Sequence, residues 1–92
     1  MINDTRSLAE KYISVFESAL QELRVNSDLG ISGFKIEAII GEAKRYMKDS
    51  KYYLEIGKND TALTSIAYAE GLLDTLRLLE FVSFSWKKVD ES

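Results

Sequence analysis

Apolar residues recur at helical spacing along most of the chain. In the first segment Leu8, Tyr12, Val15, Ala19 and Leu23 fall three or four residues apart, and Ile13, Phe16 and Leu20 widen the stripe. That width predicts a helix over residues 5–25 buried against two neighbours. Asp4 or Thr5 suits its start, and Ser7 followed by Glu10 has capping-box spacing one turn later. The polar, glycine-bearing stretch from Asn26 to Gly33 predicts a connection, with Ser32 as the N-cap of the next helix. The pattern resumes through Ile36, Ile39, Ile40, Ala43, Tyr46, Met47, Tyr53 and Leu54, predicting a second helix over 34–56. Gly41 interrupts it at a cost of about 1 kcal/mol, so it marks a close helix contact or a small bend, and close contact is the expectation.

Gly57, Lys58, Asn59 and Asp60 are the clearest punctuation in the chain. Gly57 suits the left-handed position after a helix, and Asn59 or Asp60 suits the start of the next. So short a connection predicts an antiparallel hairpin. The third helix is expected over 61–80, with Ala62, Leu63, Ile66, Ala67, Ala69, Leu72, Leu73, Leu76 and Leu79 as its apolar positions. Small residues at Ala62, Ala67, Ala69 and Gly71 leave room for another backbone, which puts this helix at the centre of the core. The fold class is therefore all-α: a compact three-helix bundle forming one domain over 1–92, with a short C-terminal extension over 81–92.

In that extension Phe81, Val82, Phe84 and Trp86 are interleaved with small polar residues, ahead of Lys87, Lys88 and an acidic end. A strand there has no partner elsewhere in the expected fold. The segment has two readings. It folds over the open end of the bundle, or Phe81, Val82, Phe84 and Trp86 form an exposed aromatic interface for self-association or another protein.

Composition narrows the chemistry sharply. The 92 residues contain no cysteine, histidine or proline, which removes disulfides, thiolate and imidazole nucleophiles or bases, and the usual zinc sites. A net charge of −3 disfavours general nucleic-acid binding. The N-terminus lacks a signal-peptide pattern, and no stretch approaches the roughly 20 apolar residues of a membrane span, so a cytoplasmic protein with no membrane partner is expected.

Carboxylates are the remaining abundant reactive groups. Glu70 and Asp74 share a face of the third helix, and Glu42 and Asp49 lie two turns apart on the second, a pattern that suits a hard divalent cation if the hairpin unites them. Pairing is the simpler account: Asp74 with Arg77, and Arg45 with Glu42 and Asp49. Neither a metal nor a cofactor is expected. Tyr53, Tyr68, Glu70 and Asp74 define a candidate ligand pocket, set against a core reading in which a tyrosine hydroxyl satisfies Glu70 or Asp74. Lys44, Arg45, Lys48 and Lys51 form a candidate basic patch for accessory contact with nucleic acid, although interspersed charges also describe a solvated helix face.

The second hairpin carries a family resemblance. Residues 43–77, with Ser50, Tyr53, Leu54, Gly57, Ala62, Leu63, Tyr68, Ala69, Gly71, Leu73 and Asp74 as the matching positions, resemble the core of DUF357, an archaeal family of unknown function. The resemblance implies a three-helix bundle in an archaeal cytoplasm and supplies no activity or catalytic residue. Many members carry histidine where this chain has Glu70, which argues against a histidine-dependent role here. A weaker resemblance to a tetratricopeptide hairpin lacks the repeated motif of an array. Together these readings predict a non-enzymatic interaction or structural module, self-associating as a homodimer or binding another protein. The small-ligand or metal site and the nucleic-acid contact are the alternatives.

Overall fold

A computed structural model describes residues 4–26 and 33–86. The expected Ser32 cap, most of the first connection and the end of the tail, with Lys87 and Lys88, lie outside the described residues. The chain is a three-helix bundle with a short β extension: α1 is Thr5–Glu22, α2 Gly33–Glu55 and α3 Asn59–Leu78, while β1 (Arg24–Val25) pairs with β2 (Val82–Ser83).

Helix α1 starts where Asp4 caps it, its carboxylate accepting the Arg6 N–H at 3.1 Å. Ser7 donates to Asp4 at 3.0 Å and so does not build the expected box with Glu10. The helix ends three residues before the expected 25, because Leu23 turns extended (φ −63°, ψ 135°) and Arg24–Val25 enter a strand. That strand is the partner that the tail was expected to lack. The pair is antiparallel, with Arg24 opposite Ser83 and Val25 opposite Val82, and Asn26 N–H donates to the Phe81 carbonyl at 2.8 Å. The ribbon ties the C-terminal ends of α1 and α3 together.

Helices α2 and α3 end in the same hydrogen-bonded turn. After α2, Lys58 N–H donates to the Tyr53 carbonyl and Gly57 N–H to that of Leu54, with Gly57 at φ 80°. After α3, Phe81 N–H donates to Leu76 and Glu80 N–H to Arg77, with Glu80 at φ 68°. Glycine suits the left-handed position, so Glu80 holds it under strain. This turn also explains why α3 stops at Leu78 and not at 80. At its other end α3 begins at Asn59, ahead of the expected 61, with Lys58 as an N-cap lacking a side-chain bond.

The core joins Ala9, Ile13, Phe16 and Ala19 of α1 to Ile36, Ile40, Ala43, Met47 and Leu54 of α2 and Ala62, Ile66, Ala69, Leu73 and Leu76 of α3. Ala43, Ala62 and Ala69 are fully buried, and Ser50 Oγ, equally buried, donates to the Ala62 carbonyl at 2.7 Å across the α2–α3 contact. Small side chains thus bring these two backbones together, as expected for Ala62 and Ala69. Ala67, Gly71 and Gly41 instead face solvent, and a Cβ added at either glycine would touch nothing within 4 Å. The close-contact expectation for Gly41 is therefore corrected. Arg6 fastens α1 to α2 by donating to the Leu54 carbonyl at 2.9 Å, one of the last carbonyls of α2.

Candidate functional site

The two flanks of α3 carry different chemistry. One faces α1 and the tail, and on it Asp74 is a hub: its Oδ1 accepts Trp86 Nε1 at 2.8 Å, Arg77 Nη2 at 2.8 Å and Arg77 Nε at 3.0 Å. These bonds, that from Trp86 foremost, hold the Asp74 carboxyl below the usual aspartate range. Glu70, one turn earlier, is shifted the opposite way, first by burial and then by the Asp74 charge. The predicted Asp74–Arg77 pair is present, but the donor completing it is an indole and not a tyrosine hydroxyl. Phe84 stacks edge-on against Trp86 with ring centroids 4.7 Å apart, and Ser85 donates to Glu22 at 3.4 Å.

Val82 and Phe84 are 3% and 9% exposed and belong to the core, while Phe81 and Trp86 are half-buried against it. Of the two readings of this segment, the structure has residues 81–86 folded against the bundle, so Phe81, Val82, Phe84 and Trp86 do not form an exposed aromatic surface. Backbone pairing through β2 and the Trp86–Asp74 bond lay the tail on the bundle, which consumes the apolar area that an interface would use.

The other flank of α3 faces away from α1. Residues seven apart lie close to one face of a helix, so Ile39, Tyr46 and Tyr53 form a row along α2. Tyr68 and Leu72 lie on the adjoining flank of α3. Tyr46 and Tyr68 join the two helices in an edge-to-face contact, with ring centroids 4.5 Å apart. Tyr68 is 49% and Ile39 38% exposed, and Tyr46, Tyr53 and Leu72 are half-buried. Arg45 lies over the Tyr46 ring at 5.9 Å while pairing with Glu42. Spacing alone assigns Ile39 and Leu72 to the core; Leu72 packs against it, half-buried, while Ile39, at the edge of the apolar arc on the side that α1 does not cover, is left at the surface.

This arrangement separates the four residues of the candidate ligand pocket. Tyr53 and Tyr68 belong to the outer α2–α3 face, and Tyr53 meets Tyr52 at 5.6 Å. Glu70 and Asp74 belong to the flank beside α1 and the tail. Residues two apart on an α-helix, such as Tyr68 and Glu70, point in widely different directions. Among the described residues no group of three or more His, Cys, Asp or Glu side chains is placed to hold a metal ion.

The basic candidates are also divided. Lys44 and Lys48 are exposed on α2, Lys51 is paired with Glu17 of α1, and Arg45 is paired with Glu42 on another part of the helix surface. Lys51 and Glu17 line an open cleft of about 340 Å³ with Arg6, Glu10 and Glu55, in which acids outnumber bases. Among the described residues no helix is long and apolar enough to cross a membrane.

Fold and surface thus define a small helical-bundle protein whose described residues form no metal-binding cluster. The chain belongs to DUF357, described as a protein of unknown function, whose family model matches residues 11–82. The match takes in most of α1 and reaches β2, beyond the hairpin that carries the resemblance. No curated protein matches the sequence.

Proposed function

We propose that this chain is a non-enzymatic, cytoplasmic protein-interaction module that receives its partner on the outer face of the α2–α3 hairpin. The observation that carries this reading is the Tyr46–Tyr68 pair, set between Ile39, Leu72 and Tyr53 on a face that α1 leaves uncovered. Tyrosine supplies large contact area with few rotatable bonds, and contiguous apolar surface rimmed by charge characterises protein interfaces. The rim here is Lys35, Glu42, Arg45 and Asp49 on α2. The absence of histidine and cysteine from the chain supports a binding role over a catalytic one.

Photo-crosslinking tests the assignment. A benzophenone side chain in place of Tyr68 is expected to join the chain to a protein in cells, whereas the same group in place of Lys48, on the opposite side of α2, is expected to give little product. Equal yields at both positions, or none at Tyr68, would refute it.

A further inference from the structure

We infer that the partner seated on the outer α2–α3 face is a second copy of this chain, antiparallel to the first across a two-fold axis. The inference rests on the reading of that face as an interaction surface and adds the identity and orientation of its occupant. Beside the apolar row Ile39, Tyr46, Tyr53, helix α2 carries a charged row at the same heptad spacing: Lys35, Glu42, Asp49. Lys35 and Asp49 are both exposed and lie seven residues to either side of Glu42.

A two-fold interface is self-complementary, so residue i meets residue j and j meets i. An axis passing beside Glu42 sets Lys35 of each copy against Asp49 of the other. The same register brings Ile39 of each copy to Tyr46 of the other. Glu42, which approaches its own image at the axis, is already neutralised by Arg45 in each copy. Helix α3 adds Tyr68 and Leu72, with only neutral residues at Thr61, Ser65 and Thr75 along this flank. A parallel arrangement would oppose Lys35 to Lys35 and Asp49 to Asp49, which like-charge repulsion disfavours. A different protein requires no such opposite charges at equal distances from one point. Two hairpins stacked face to face in this way form a four-helix arrangement in two layers that buries the tyrosine pairs.

Sedimentation equilibrium of the full chain, from about 10 μM to about 1 mM, tests the inference. The expected result is a dimer, at twice the 10.4 kDa chain mass. Lys35→Asp and Asp49→Lys each create two like-charge contacts per dimer and are expected to weaken dimerisation about tenfold at low salt. The two changes combined in one chain restore opposite pairing, and with it most of the affinity. Tyr68→Glu is expected to give a monomer whose circular dichroism melt shows that it still folds. A wild-type monomer throughout the concentration range overturns the inference. So does a dimer in which the double variant is no tighter than the single ones. A monomeric chain that crosslinks to a different protein through position 68 overturns the second copy while leaving the interaction surface standing; no crosslink to any protein removes both.

Discussion

The two flanks of α3 belong to one helix and differ in how their polar and aromatic groups are completed. On the flank toward α1, Asp74 receives three hydrogen bonds from Trp86 and Arg77, and the tail segment ending at Trp86 covers the side that the helices leave open. On the outer flank Tyr46 and Tyr68 complete each other's rings and then meet solvent. The segment ending at Trp86 closes the first flank, and the outer flank is the surface to which we assign the partner.

Substitutions on the two sides should separate stability from association. Leu73→Ala, at a fully buried position, is expected to cost about 2–5 kcal/mol in urea unfolding. Trp86→Ala removes half-buried aromatic area together with a bond to a carboxylate, and should cost about 2 kcal/mol. Tyr68→Ser should cost about 1 kcal/mol as a monomer, because its ring contact with Tyr46 is lost while about half of the residue is already in water. A Tyr68→Ser loss as large as that of Trp86→Ala would erase the distinction between the flanks.

Titration sharpens the contrast further, because Trp86 is the single tryptophan and reports directly on the closed flank. Glu70 has a folded pKa above its unfolded value, so its stabilising contribution is complete below the unfolded pKa and is lost as pH rises through the folded one. Asp74 is the reverse: its contribution is complete above its unfolded pKa and is lost as pH falls through its depressed folded pKa. Together the two groups favour the fold most at about pH 4, within the ordinary carboxylate range. Thermal melts should show Glu70→Gln flattening the limb above that pH and Asp74→Asn the limb below it. Trp86 fluorescence should follow the lower limb in the wild type.

The matched turns after α2 and α3 offer a smaller test. Gly57→Ala is expected to destabilise by about 1 kcal/mol, because its φ of 80° disfavours any Cβ. Glu80→Gly relieves the same conformation and should stabilise by about 0.5 kcal/mol, net of the greater freedom that glycine gives the unfolded chain. Opposite shifts in Tm would verify that both turns hold the same geometry.

The three helices were legible in the sequence because each carries its own periodicity, and the α2–α3 turn because Gly57 occupies the position that favours glycine. The turn after α3 was hidden, since Glu80 fills the left-handed position with a residue that gives no such signal. The β ribbon was hidden for another reason: a two-residue strand has no period, and Leu23 and Val25 extend the helical stripe of α1 without a break. Small residues marked α3 as a packing helix but not which of its faces packs, so Ala62 and Ala69 were assigned correctly while Ala67 and Gly71 face water. At the candidate site, spacing put Tyr46 and Tyr53 on one face and paired Asp74 with Arg77. The Trp86–Asp74 bond depends on where the tail folds, which local pattern does not encode.

Hydroxyl-radical footprinting of the full chain at low and high protein concentration tests the central claim most directly, because it reads both flanks in one sample. The account predicts that oxidation of Tyr46 and Tyr68 falls as the partner surface fills, while oxidation of Trp86 stays constant. Protection of Trp86 with Tyr46 and Tyr68 unchanged would contradict it and move the interaction surface to the tail.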